Sequence, residues 1–225
     1  MPRIGDVAPE FTAISTQGEI NFPTDYRGKW VIFFSHPADF TPVCTTEFIE
    51  FGTMAKEFEA INCKLIGLSI DGIFSHIAWL RTIKERICYN GTANLNITFP
   101  LIADISMEVA KKYGMLQPHE SSTSTVRAVF FIDPKGVIRA MIYYPMALGR
   151  NLDEIKRALI GLQTIDAYGV ALPANWNPED NVIMPPPSTC VAAQERVDSA
   201  KKGDLQYYDW FLTTKKLPKN NITKE

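Results

Sequence analysis

The sequence predicts an α/β chain: a mixed central sheet with helices on both faces, followed by a C-terminal extension. Three observations lead there. Compact apolar runs alternate with stretches whose apolar residues recur every three or four positions, the alternation of a sheet covered by helices. The runs VRAVFFI and VIRAMIYY flank Asp133-Pro134-Lys135-Gly136, whose turn chemistry makes them an antiparallel hairpin and the sheet mixed. Beyond Tyr168 prolines crowd and periodicity fades, which sets off the last part of the chain.

The elements follow in order. WVIFFS at 30–35 is a short apolar run that suits a buried strand. Thr41 is placed to N-cap a helix with Pro42 at its first position, where a missing N–H costs nothing. Phe48, Phe51, Ala55 and Phe58 give that helix one apolar face. KLIGLSI at 64–70 is the next strand, and the helix after it carries Ile77, Trp79, Leu80 and Ile83. FPLIAD at 99–104 is a third strand. Ser106 is a candidate cap for SMEVAKKYG, with Gly114 ending the helix. After the hairpin, Asn151 caps a last helix with Glu154 as its capping-box partner, running to about Ala167. This β-α-β-α-β-α-β-β-α order fits a thioredoxin-like layout over residues 1–167. The extension, 168–225, offers a short polar helix near 189–201 and the aromatic tail YYDWFLTT, with Tyr207, Tyr208, Trp210 and Phe211 close together. So many aromatics suit an arm packed on a partner subunit better than a solvated linker.

Composition narrows the function classes. The chain has 225 residues, 46% hydrophobic and 21% charged, with a net charge of −2. That is ordinary globular composition, with no electrostatic reason to expect nucleic acid or an anionic membrane as a partner. No apolar run approaches a transmembrane span, and MPRIGDVAPEF has no secretory pattern. The three N-x-T triplets at Asn90, Asn96 and Asn221 would matter only after secretion. Cys44, Cys63, Cys88 and Cys190 are too scattered for a disulfide framework or a zinc site, and no metal or organic cofactor is expected. The expected setting is cytoplasmic, with reduced thiols.

The chemistry centres on SHPADFTPVCTTEF, residues 35–48. Cys44 falls in the first helical turn, where free N–H groups and the dipole favour a thiolate. The dipole is worth about 0.3–1 kcal/mol, up to about 2 when partly buried. Lowering a thiol pKa by about two units takes ~2.7 kcal/mol, so a cation from a neighbouring strand is required. A disulfide oxidoreductase would want C-x-x-C, but Glu47 stands three residues on. A Cys-His pair with His36 remains open, as does a buried, inert cysteine.

Pro37-Ala38-Asp39-Phe40-Thr41-Pro42-Val43-Cys44 fits P-x-x-x-T-x-x-C and resembles the peroxiredoxin signature. HPADFTPVCTTE is similar to the branch with one-cysteine and long-tailed archaeal members. LSID, FPLIAD, YGML, VRAVFFIDP, YYP, GRNLDEIKR, VIMPPP and the tail DWF follow in the order of that branch. The resemblance implies a thioredoxin-like peroxidase domain over 1–167 and a dimerisation arm over 168–225. It implies Cys44 as the peroxidatic nucleophile, Arg127 as the cation beside it, Thr41 bonding the peroxide and Pro37 shielding the thiolate. His36, Glu47 and Arg150 match supporting positions. Their bland alternatives are a plain cap for Thr41, a first-turn dipole partner for Glu47 and a surface charge for Arg150.

The activity implied is reduction of hydrogen peroxide and organic hydroperoxides through a sulfenic acid, in antioxidant defence. It needs no cofactor and uses a thiol reductant of thioredoxin, glutaredoxin or glutathione type. The assembly implied is a homodimer or a decamer of five dimers. Two features depart from the branch. The lipase-like G-x-S-x-G is replaced by Arg27-Gly28-Lys29-Trp30-Val31, which excludes phospholipase activity, and Tyr207 and Thr213 stand where archaeal relatives carry tail cysteines. Cys190 is then the extension's only cysteine, either resolving the sulfenic acid of a partner subunit or idle. Cys63 and Cys88 read as structural. A holdase chaperone and a peroxide-sensing relay are the rival classes.

Overall fold

A computed structural model of the chain describes residues 1–200, 203 and 205–218. It forms two compact units, Met1–Leu152 and Asp153–Glu225. Lys201, expected in the extension's helix, and the Asn221 triplet lie outside the described residues.

In chain order the first unit contains β1 (Phe11–Ser15), β2 (Gly18–Phe22), β3 (Trp30–Ser35), α1 (Pro42–Ala60), β4 (Cys63–Ser69) and α2 (Ile73–Arg86). It continues with the two-residue strands β5 (Cys88–Tyr89) and β6 (Thr92–Ala93), then β7 (Leu101–Ala103), α3 (Glu108–Tyr113), β8 (Arg127–Ile132) and β9 (Ile138–Tyr144). Seven of these strands form one sheet in the order β2-β1-β7-β4-β3-β8-β9. β3 lies parallel to β4 and β4 to β7, whereas β8 runs antiparallel beside β3 and β9 antiparallel beside β8. The sheet is thus mixed, and the thioredoxin-like layout expected from the sequence is the observed one.

The central strands are predominantly apolar because both faces are covered. Every residue of β3 and of β8 is buried. Phe33, Ile66, Ile102, Tyr113 and Phe130 belong to one core cluster, with Phe33 and Phe130 each edge-on to Tyr113. On the other side of Phe34 the rings of Phe48, Phe51 and Phe99 close a second aromatic group. The 133–136 turn forms as expected: Asp133 Oδ1 accepts from the N–H groups of Lys135 and Val137, and Gly136 takes φ +82°. Gly114 ends α3 in the left-handed conformation that glycine adopts without penalty.

Several local expectations are corrected. The N-terminal hairpin β1–β2, joined at Thr16-Gln17, and the β5–β6 hairpin are additions to the expected elements. The cap of α3 is not Ser106: Asp104 accepts from the N–H groups of Val109 and Ala110, two of the four donors a helix start leaves open. Thr41 stands at the N-cap of α1, but its hydroxyl does not cap; it donates to Ala38 O at 2.8 Å. On α2 the buried residues are His76, Trp79 and Ile83, whereas Ile77 is exposed.

The second unit takes in nearly all of α4 (Leu152–Tyr168), then β10 (Val182–Ile183), α5 (Cys190–Ala200), β11 (Gln206–Asp209) and β12 (Leu212–Lys215). Its small sheet has the order β10-β12-β11 and its own apolar cluster around Val170, Trp176 and Val182. These short strands are too brief to leave a periodicity in the sequence. Arg196 of α5 donates to Thr213 Oγ1 at 2.6 Å and to Pro185 O at 3.1 Å, tying helix to sheet. Among the described residues no helix is long and apolar enough to cross a membrane.

Candidate active site

The site is assembled where β3 ends and α1 begins. Pro42 is the first residue of α1, so Cys44 is its third, a position whose N–H has no intrahelical acceptor. The Cys44 side chain is fully buried. β8 pairs with β3 and brings Arg127 opposite this turn, with Nη1 3.3 Å from Cys44 Sγ. A cation therefore stands beside the sulfur, where the sequence asked for one. At an effective dielectric near 20, unit charges about 4 Å apart attract by about 4 kcal/mol, more than a helix terminus supplies.

Arg127 is itself held on two sides. Its Nη1 donates to Glu47 Oε2 at 2.7 Å, while Nε and Nη2 both donate to Met146 O, at 2.9 and 2.7 Å. Glu47, one turn beyond Cys44 on α1, also receives Arg150: the backbone N–H at 2.8 Å and Nε at 2.9 Å on Oε1, and Nη2 at 2.5 Å on Oε2. Arg150 Nη1 donates to Ser35 O and Ala128 O, and its guanidinium lies over the rings of Phe34 and Phe51 at 5.0 and 5.3 Å.

Charge follows from this geometry. Burial works against ionising Glu47, but the charge and hydrogen bonds of Arg150 and the charge of Arg127 outweigh it and hold the carboxyl below its ordinary value. Burial likewise pulls Arg150 down, and Glu47 opposes that. Two guanidiniums and one carboxylate leave one positive charge in excess in this buried cluster. The bland readings of two residues therefore do not hold. Glu47 lies outside the first turn of α1, and Arg150 is buried instead of decorating the surface.

The loop 36–41 is fastened separately. Pro37 is buried within it, and Thr41 is partly exposed at its end. His36 is fully buried; its Nε2 lies 3.0 Å from Asp39 Oδ1, and its Nδ1 has no hydrogen-bond partner. Burial pushes the His36 pKa down, against the pull of Asp39. His36 stacks on Trp79 and packs edge-on to Phe48, so it stands behind the cysteine helix. Asp39 Oδ2 is 2.8 Å from His76 Nδ1, and Asp39 N–H donates to Asp71 Oδ2 at 3.0 Å. Burial opposes the Asp39 charge, but the two histidine hydrogen bonds win and its pKa falls to about 2. Sequence reasoning misses Asp39, although it lies inside the motif, and His76, whose only signal is its place three residues before Trp79 on the inner row of α2.

Among the described residues, His36, Asp39 and Asp71 are the one group whose ligand atoms approach one another closely enough to consider a metal. Both Asp39 oxygens already meet imidazoles, and Asp71 Oδ2 also accepts from Ser69 Oγ. The donor set is committed to hydrogen bonds and does not fit an ion.

The remaining cysteines are free. Cys63 is buried at the start of β4, and burial raises its thiol pKa. Cys88 is exposed on β5, and Cys190 is exposed as the first residue of α5.

Comparison with known proteins agrees with this geometry. Residues 4–141 match the AhpC/TSA family, and residues 161–200 match the C-terminal domain of 1-Cys peroxiredoxin. A peroxiredoxin of Methanosarcina mazei is 58% identical over 216 residues, covering 96% of this chain and 98% of its own. One from Archaeoglobus fulgidus is 51% identical over 220 residues, covering 96% and 99%. Among solved structures, a yeast mitochondrial 1-Cys peroxiredoxin, studied for thiol resolution via glutathione/thioredoxin systems, superposes with TM-score 0.82 at 40% identity, covering 96% of this chain and all of that one. A cysteine-to-serine mutant of the peroxiredoxin 6 of Arenicola marina gives 0.83 at 34% identity, covering 98% of this chain and all of its own.

Proposed function

Because the chain belongs to the peroxiredoxin family and is a thiol-dependent peroxidase, we propose that Cys44 is its nucleophile and that hydrogen peroxide and organic hydroperoxides are its substrates. The observation that carries this reading is the buried Sγ 3.3 Å from Arg127 Nη1, in a cluster that becomes neutral when the thiol ionises. The thiolate attacks the terminal oxygen of ROOH; an S–O bond forms, the O–O bond breaks, and the departing alkoxide takes a proton to leave as ROH. Negative charge grows on that leaving oxygen, and the guanidinium of Arg127 and the Cys44 N–H are the donors near it. The Thr41 hydroxyl gives its proton to Ala38 O, which leaves its oxygen to accept the peroxide O–H. Pro37 keeps water from the loop side. Glu47 and Arg150 fix Arg127 and balance its charge.

The sulfenic acid is then attacked by an external thiol of thioredoxin, glutaredoxin or glutathione type: water leaves, a mixed disulfide forms, and a second thiol releases Cys44. Cys190 of a partner subunit is the internal alternative, favoured by its exposure at the start of α5. Residues 168–225 act as a dimerisation arm, supported by the exposure of Tyr207, Tyr208, Trp210 and Phe211. Four free thiols suit a reducing, cytoplasmic setting.

The deciding experiment is peroxide consumption by Cys44→Ser with a dithiol reductant. It should fall to the uncatalysed rate; a variant as fast as wild type refutes the reading. For resolution, one equivalent of peroxide should give a disulfide-linked dimer on a non-reducing gel that disappears in Cys190→Ser. A monomer band in both proteins assigns resolution to the external thiol.

A further inference from the structure

His76 presents a problem of proton count. It is fully buried on α2, with Nδ1 2.8 Å from Asp39 Oδ2 and Nε2 3.1 Å from Ile102 O. A backbone carbonyl only accepts, so Nε2 must carry a proton. An ionised carboxylate also only accepts, so Nδ1 must carry one too. The alternative puts the shared proton on Asp39 and leaves the imidazole neutral. The ordinary values of about 3.9 for aspartic acid and about 6.5 for histidine put it on the nitrogen. His36 differs. Only one of its nitrogens meets an acceptor and the other is unpartnered, which suits a neutral ring.

Asp39 occupies a decisive point in the loop. Phe40, the next residue, has φ +56° and is exposed. A bulky residue in the left-handed region carries strain of about 1–3 kcal/mol and persists only where its surroundings force it. The forcing contacts lie on Asp39: its N–H on Asp71, its Oδ1 on His36 and its Oδ2 on His76. Thr41 follows Phe40 directly, and α1 begins at Pro42. The same wall of α2 reaches α1 again, because Trp79 Nε1 donates to Thr45 Oγ1, which in turn donates to Thr41 O.

We propose that His76 is a positioning residue of the peroxidase: a doubly protonated imidazolium, buried between Asp39 and Ile102 O, that fixes the 36–41 loop and so places the Thr41 hydroxyl and the first turn of α1. This role rests on Cys44 being the nucleophile. The titratable and charged groups facing the pair are His36 on the loop, Asp71 after β4 and Arg150, whose charge reaches His36.

The test begins with the native sequence. The chain has three histidines, so nitrogen-15 spectra of imidazole-labelled protein are readily assigned with His36→Gln and His119→Gln. At about pH 7.5, a unit above the ordinary histidine value, His76 should show protons on both ring nitrogens. A single ring N–H there overturns the proposal. The peroxide rate constant of the wild type should decline with rising pH along the same curve as the two-proton signal. His76→Asn keeps a donor toward Asp39 but no charge and no reach to Ile102 O; its rate should fall between about tenfold and about a hundredfold and lose that decline. A folded His76→Asn with the wild-type rate and pH profile also overturns it. Should His76→Asn fail to fold, the wild-type spectrum still decides. The spectrum can also be recorded in Cys44→Ser, so failure of the positioning role and failure of the nucleophile assignment are read separately.

Discussion

Two buried carboxylates flank the first turn of α1, and they are neutralised by different chemistry. Glu47 is met by Arg127 and Arg150, whose guanidiniums stay charged at any accessible pH. Asp39 is met by His36 and His76, imidazoles that, unlike a guanidinium, are able to give up a charge. The first cluster touches the sulfur; the second holds the backbone that delivers it. The cluster that contacts the sulfur is thus built from groups that hold their charge, whereas the one behind the loop is built from groups able to lose it.

The sharpest way to test this contrast is to remove each carboxylate. Glu47→Gln leaves two buried guanidiniums without their carboxylate and should destabilise the protein by about 3–5 kcal/mol in denaturant unfolding. Arg127→Lys keeps a charge but loses the fork that spans Met146 O, Glu47 and Cys44. Its peroxide rate constant should fall about a hundredfold in stopped-flow assays. Asp39→Asn should cost less, about 1–3 kcal/mol, because an imidazole left behind can shed its proton. Equal losses for Glu47→Gln and Asp39→Asn would break the comparison.

The smallest effect is the dependence of stability on pH. Asp39, at about 2, and Glu47 both lie below their ordinary carboxylate values. Their stabilisation is complete above those ordinary values and drains away as the pH falls through the folded ones. Burial lowers the His36 pKa in the folded protein, so the unfolded chain takes up more protons and stability slips already below about 6.5. Unfolding at about pH 7, about pH 5 and about pH 3 should show both limbs. Asp39→Asn should flatten the lower one.

Where a residue's chemistry is carried by its type at a fixed spacing, the sequence was legible. Cys44 stood out as a thiol at a helix start in need of a cation, whereas Thr41 and Arg127 were named through the resemblance to the peroxiredoxin signature; the structure places Arg127 beside the sulfur. The strands β3 and β8 were readable from their compact, mostly apolar runs. Relations between distant segments were not readable. His76 looks like any polar helix residue, and helical spacing favoured Ile77, which the fold leaves exposed. Asp104, not Ser106, caps α3, because a carboxylate four residues before a helix can reach where a nearer hydroxyl does not. Met146 acts through its carbonyl, which has no signature in a side-chain alphabet. The β-strands of the extension are too short to announce themselves.

Arg127 also limits what the pocket can receive. A guanidinium has five N–H bonds; among the described residues Met146 O takes two of them and Glu47 and Cys44 one each. The fifth, on Nη2, is the only one left to greet a guest, so a molecule can be gripped there through a single oxygen. A carboxylate or phosphate, which favours a matched pair of donors, finds no such pair on this guanidinium.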